Sequence, residues 1–263
     1  MDLGIKGKTA IVCGASQGLG RACAEALAGE GVNLVLCSRE FDKIFAAARS
    51  ISETFGGDII PIAADISLAE SPDKIVKEAL KKFGSIDILV NNTGSPASGM
   101  FEEVGDTEWE NAFHLILMSA VRMSRAVLPY MTREGWGRII NLASISVKQP
   151  IPGLLLSNSL RNAVVGMAKT LSQEVAPHGI LVNTIATGYF DTARLSDIIK
   201  SRAMESGISF EDARENFESA IPLGRIGKPE ELAWLVAFLA SARASYITGA
   251  TIQIDGGMFA GIM

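Results

Sequence analysis

Seven short apolar runs recur along the chain, and between them the apolar positions switch to helical spacing. The runs read KTAIVCG, VNLVLCS, DIIPIAAD, IDILVNN, RIINLAS, ILVNTIA and ATIQIDGG. They are rich in β-branched residues and almost uniformly apolar instead of alternating, which predicts strands buried on both faces, as in a parallel sheet covered by helices. Helices are expected near residues 18–29, 40–55, 70–83, 106–133, 153–176 and 229–241, each bounded by Gly, Pro, Asp or Ser. Strand and helix in alternation predict βαβ units and a doubly wound α/β fold with helices on both faces of a seven-stranded parallel sheet. No linker breaks the rhythm, so the expectation is a single domain over 1–263. The exception is the amphipathic, charged stretch at 191–222, which reads as one or two lid helices.

Composition narrows the classes. Of 263 residues, 48% are hydrophobic and 20% charged, enough to bury a large core and unlike a disordered chain. A net charge of −5 and a pI near 5.2 disfavour a surface built to neutralise nucleic-acid phosphates. No apolar run reaches the ~18 residues of a membrane span, and the N-terminus lacks the pattern of a signal peptide, so a soluble cytoplasmic protein is expected. Cys13, Cys23 and Cys37 form no CxxC pair and have no clustered His partner, leaving neither a disulfide framework nor a metal site in view. Cys13 and Cys37 end apolar runs and read as buried small hydrophobes in the reduced state.

Chemistry first shows after the first strand, where CGASQGLG runs straight into the helical RACAEALA. Gly14, Gly18 and Gly20 let the backbone turn sharply and approach a diphosphate, with Ser16, Gln17 and Leu19 between them. The following helix offers unpaired N–H groups and the positive end of its dipole. A glycine-rich turn alone is weak evidence, but its position between strand and helix points to a dinucleotide cradle of the Rossmann type.

Further motifs follow in order: AADI at 63–66, NNTG at 91–94, GRIINLAS at 137–144, TGYFDT at 187–192 and YITGATIQIDGG at 246–257. With the glycine turn, this series resembles the short-chain dehydrogenase/reductase family over essentially the whole chain, and in particular its 3-oxoacyl-[acyl-carrier-protein] reductases. The resemblance implies that Asp65 and Ile66 contact the adenine, that Asn92 and Gly94 line the ribose side, and that Gly188, Phe190 and Thr192 meet the nicotinamide carboxamide or diphosphate. The plain alternative for each is a turn residue; Asp65 in isolation reads equally as either, and the surrounding matches favour the site. The second strand ends in Ser38-Arg39, with no Asp or Glu to accept from a ribose 2′-hydroxyl. A hydroxyl and a guanidinium there suit a 2′-phosphate, so NADP(H) is expected over NAD(H). The alternative is a solvated Arg leading into a helix.

The proton machinery that the resemblance implies is an Asn in the fourth helix, a Ser at the end of the fifth strand, and a Tyr-x-x-x-Lys pair on the fifth helix. Counting from Trp109, the Asn position falls on Ile116; Asn111 and His114 lie off that face and read as surface or packing residues. Ser144 is retained. The Tyr position falls on Ser157 and the Lys position on Arg161. Only Tyr130, Tyr189 and Tyr246 exist, and none has Lys or Arg four residues on. Tyr189 adjoins the cofactor loop and can be placed near a substrate. Ser157 and Arg161 share a helix face one turn apart, but a Ser hydroxyl is far less acidic than a phenol, and a guanidinium stays protonated; Arg161 is expected still to hydrogen-bond the cofactor ribose and to lend positive charge.

Three readings stay open at this level. In the first, Ser144, Ser157 and Arg161 form an electropositive, hydrogen-bonding pocket in an NADPH-dependent oxidoreductase that reduces a carbonyl or an activated alkene. In the second, the chain binds NADP(H) without turnover, as a sensor or partner subunit. In the third, a lyase or isomerase has taken over the fold. Arg194, Lys200, Arg202 and Arg214 give the lid some capacity for an anion, although such faces are usually just solvated. His178 reads as structural, at a helix end. Excess apolar residues in FHLILMSAV and LRNAVVGMAKTL suggest a buried contact between copies, and the resemblance implies a homo-oligomer, a dimer or a tetramer.

Overall fold

The computed structural model describes residues 2–262. Its centre is a sheet of seven parallel strands: β1 (Thr9–Cys13), β2 (Asn33–Ser38), β3 (Ile59–Ala63), β4 (Ile88–Asn91), β5 (Gly137–Leu142), β6 (Ile180–Thr187) and β7 (Thr251–Ile254). Their order is β3-β2-β1-β4-β5-β6-β7, so the chain reverses its direction of travel across the sheet between β1 and β4. In open α/β sheets a ligand cleft forms at that reversal, beyond the carboxyl ends of the strands.

The uniform apolarity of the strands has a direct cause. Within β1, Ala10 and Val12 pack into one core layer and Ile11 and Cys13 into the other; β2 divides Leu34 and Leu36 from Val35 and Cys37 in the same way. One layer is covered by α1 (Gly18–Gly29), α2 (Phe41–Phe55) and, later in the chain, α9 (Pro229–Leu239), through residues such as Leu27, Ile44, Leu232 and Val236. The other is covered by α3 (Ser71–Phe83), α5 (Ser119–Glu134) and α6 (Leu155–Val175), through Ile75, Met123, Val127 and Ala168. The outer strands depart from the expectation of full burial: four of the five β3 residues and all of β7 are partly or fully exposed, because each has a neighbour on one side only. Pro61, which has no N–H to donate, sits in the edge strand β3, where that loss is tolerated.

Two expected elements are more structured than the sequence suggests. The helix expected over 106–133 is α4 (Asp106–Ala112), a π-helical turn over Phe113–Met118, and α5, running into one another. The lid stretch folds as α7 (Ala193–Ser206) and α8 (Phe210–Ser219), which close over their own core of Leu195, Ile199, Ala203, Ala213 and Ile221. Among the described residues, no helix is long and apolar enough to cross a membrane, and no group of His, Cys, Asp and Glu is arranged to hold a metal. All three cysteines are free and buried, and desolvation pushes the Cys23 thiol up to about 12.

Candidate active site

A cleft of about 450 Å³ opens at the strand-order reversal. Of the residues singled out from the sequence, Gly14, Ser16, Gln17, Gly18, Leu19, Ser38, Arg39, Asp65, Ile66, Asn92, Gly94, Ser144, Ser157, Arg161, Gly188, Phe190 and Thr192 all line it. Gly20 does not. Its role is packing: a Cβ there would collide with the Gly14 carbonyl oxygen and stand 2.7 Å from Asn92 Nδ2.

The cradle is built by close approach. Gly14 and Gly18 adopt φ of 61° and 58°, the left-handed region in which a side chain is strained. Asn92, beyond the end of β4, donates from Nδ2 to the Gly14 carbonyl at 3.4 Å and ties the turn to the sheet. The cap of α1, Gln17, is extended and gives no side-chain bond to the helix, and the first turn holds no acidic residue. The first N–H groups of a helix of 12 residues are thus left to an anion. A second helix begins nearby: Thr192 caps α7, its Oγ1 accepting from the Leu195 amide at 3.3 Å, and its methyl group lies within van der Waals range of a Cβ placed on Gly18.

Ser38 and Arg39 stand at the end of β2, with Arg39 exposed at the rim. Glu40 follows them into the cleft wall, but its carboxylate is bonded by Lys43 at 2.8 Å. Asp65 bends the chain after β3 by accepting from the Ser67 amide at 3.0 Å and hydroxyl at 2.7 Å, both on Oδ1. Gly188 lets β6 pass close to Asp255, where a Cβ would stand 2.6 Å from the Asp255 Cα.

The reaction end is made by β5 and α6. Ser144 leaves β5 and caps a short turn, its Oγ accepting from the Ser146 amide at 3.1 Å. Ser157 lies in the first turn of α6 and is buried. One turn on, Arg161 donates from Nε to Ser157 Oγ at 3.1 Å and from Nη1 to the Leu142 carbonyl at 3.2 Å. Each serine oxygen therefore already accepts a hydrogen bond, and its own hydrogen is left to donate into the cleft. Desolvation lowers the Arg161 pKa to about 10, so the guanidinium still carries its charge at neutral pH.

Several lining residues carry no sequence signal. Leu115 comes from the π-helical turn. Leu154 is held at the start of α6 by a bridge to Gly99, while Asn158 bonds both the amide and the carbonyl of Ile151. Ser95 follows the NNTG motif. Tyr189 lines the cleft too, its ring edge-on to Phe217 of α8 at 4.9 Å, and burial raises its pKa against an opposing effect of Arg202. Ile116 is buried, whereas Asn111 and His114 are exposed, His114 lying 3.5 Å from Arg122. In the stretch at 191–222, Arg214 pairs with Asp191 and Glu218, Arg202 with Glu205 and Lys200 with Asp197. Arg194 faces the cleft.

The chain is similar to known proteins over nearly its whole length. The family model described as Enoyl-(Acyl carrier protein) reductase matches residues 14–259. The 3-oxoacyl-[acyl-carrier-protein] reductase FabG of Vibrio harveyi is 35% identical over 257 residues, covering 98% of this chain and 99% of its own. The short-chain reductase protein NovJ of Streptomyces niveus is 35% identical over 94% of this chain and 92% of its own. Among solved structures, L-sorbose reductase from Gluconobacter frateurii, complexed with NADPH and L-sorbose, superposes with a TM-score of 0.96 at 36% identity over the full length of both chains. The chain belongs to the short-chain dehydrogenase/reductase family of oxidoreductases. Within that family it is set apart by Ser157 and Arg161, which stand where the Tyr and Lys of the usual active site are found.

Proposed function

We propose that this oxidoreductase uses NADPH to reduce a small ketone or a conjugated alkene, with two serine hydroxyls and an arginine in place of the phenol and amine. The observation that carries the reading is the Arg161 Nε to Ser157 Oγ bond of 3.1 Å beside a free Ser144 hydroxyl hydrogen. The glycine cradle, the open start of α1 and the Thr192 cap of α7 suit a diphosphate, and Ser38 with Arg39 suits a 2′-phosphate. When bound, the dihydronicotinamide supplies hydride. The neighbouring structure solved with NADPH and L-sorbose supports both the cofactor and a small polar substrate.

In this chain, Ser144 and Ser157 donate to the substrate oxygen as it gains negative charge, and Arg161 strengthens the Ser157 donor while adding positive charge nearby. Neither serine is acidic enough to be a general acid, a role typically worth 10²- to 10⁴-fold in rate. The arrangement is therefore best matched to a conjugate reduction, in which hydride adds to carbon and the charge is spread over an enolate. Water then returns the proton. Leu115 and Leu154 give the pocket an apolar wall suited to the carbon skeleton.

Outside the cleft, half-buried apolar residues on α5 and α6, such as Val121, Val165 and Met167, support a homo-oligomer joined through these helices. Three free, buried thiols suit a reducing, cytoplasmic setting. The test is single-turnover mixing of the enzyme and NADPH with a panel of enones and ketones. Bleaching of the nicotinamide absorbance is expected with at least one enone. Tight NADPH binding without bleaching by any member would mark a binding protein instead of an enzyme.

A further inference from the structure

Behind the cleft lies a second, small space of about 10 Å³, lined by Asn91, Asn141, Arg161, Ile116, Ala120 and Val164 among others. That is close to the smallest volume that holds a single water. Its polar lining is unusual. Asn91 and Asn141 are adjacent partners on β4 and β5, only 5% and 1% exposed. Asn91 Nδ2 donates to Asn141 Oδ1 at 2.9 Å and to Ser124 Oγ at 3.3 Å, which leaves Asn91 Oδ1 and Asn141 Nδ2 buried without a protein partner. Turning both amides over exchanges their roles but still leaves one donor and one acceptor unpaired. Arg161 walls both this space and the cleft, and only two of its five N–H groups are placed.

We propose that the space is a water site: one ordered water accepts from Asn141 Nδ2 and from Arg161 and donates to Asn91 Oδ1, tying the guanidinium to the sheet. A donor, an acceptor and a cation surrounding a water-sized volume satisfy all three groups at once, which no apolar filler does. The site reaches the cleft through Arg161. With its outer nitrogens held by this water and by the Leu142 carbonyl, the guanidinium keeps Nε aimed at Ser157 Oγ. Asn91 and Asn141 are then positioning residues, acting on Ser157 through Arg161. That kinetic consequence rests on the serine-pair reading of the active site; the water site itself does not.

Val164→Ile pushes one more methylene toward the space from α6 with little change in helix preference, and a rise in melting temperature would be diagnostic. If the water is bound there, the variant displaces it and strands two buried amide atoms. The melting temperature then falls by a few degrees, and kcat falls several-fold while the NADPH dissociation constant stays unchanged. If the space is dry, the added methylene fills a cavity and the melting temperature rises, which overturns the proposal. Because overpacking also lowers stability, a high-resolution crystal structure of the unaltered enzyme with NADPH is the second arm. Density for one water in contact with Asn91, Asn141 and Arg161 supports the site, and an empty space overturns it. Neither measurement needs a substrate, so a rise in melting temperature or the density decides the water site even if no member of the panel is reduced.

Discussion

Ser157 and Arg161 show how a substitution can keep geometry while changing chemistry. The helical spacing of four residues puts both on one face, and through the 3.1 Å bond between them the proposed mechanism has Arg161 polarise a hydroxyl. Burial of the guanidinium has a readable pH signature. Desolvation disfavours the charge and lowers its pKa to about 10, so the folded protein releases this proton before the unfolded chain does. From about pH 10 up to the ordinary guanidinium range the unfolded chain binds more protons, and this group's contribution to stability rises with pH across that window. Turnover moves the other way, since a neutral guanidinium donates weakly to Ser157. Measured at saturating NADPH, the rate of the reduction step is expected to show no titration of Arg161 below about pH 9 and to decline as pH approaches 10. At the other end of the cleft, Arg39→Ala removes the cation expected to meet the 2′-phosphate. Fluorescence titration should show NADPH binding weakened about tenfold, as expected for one exposed charge-assisted contact, with NADH binding nearly unchanged.

At the scale of elements, the site depends on two helices that begin facing the same place. The start of α1 is uncapped by its own side chains, whereas α7 is capped by Thr192, and the two meet across Gly18. The glycine turn works only because β1, α1 and the end of β4 approach so closely. Gly20→Ala would force a methyl group into the Gly14 carbonyl and the Asn92 amide, displacing the turn from the strand. Calorimetry on this variant should show lost or greatly weakened NADPH binding and a lowered melting temperature, while a fold retaining wild-type affinity would contradict the packing role given to Gly20. The stretch at 191–222 is a separate matter. Its charges mostly pair among themselves, so α7 and α8 are held by their shared core of Leu195, Ile199 and Ile221, on which Ile226 and Tyr189 pack, and by the edge-on contact of Tyr189 with Phe217.

At the scale of the molecule, the sheet and its helices were legible because burial on both faces leaves an unbroken apolar run, and each helix is bounded by a local signal. The cofactor end was legible for a related reason: a strand, a glycine turn and a helix must be contiguous to make a cradle. The substrate end was not. Leu115 and Leu154 reach the cleft through a π-helical turn and a loop bridge, and neither has a one-residue signature. The Asn91 and Asn141 pair reads as two ordinary strand residues until the register between β4 and β5 is known. The half-buried outer faces of α5 and α6 lead to a further expectation: sedimentation at micromolar concentration should give a dimer or tetramer, and a monomer would remove the role assigned to those faces.

The account stands most directly on the hydroxyl at position 157. In single-turnover mixing at saturating NADPH with an enone that the enzyme reduces, Ser157→Ala should slow bleaching of the nicotinamide absorbance by about 10²- to 10³-fold, the typical loss of one oxyanion donor. Its NADPH dissociation constant should stay that of the unaltered enzyme. A variant that bleaches as fast as the original would show that the proton-donating face of the cleft lies elsewhere, and the serine pair would lose its place in the reaction.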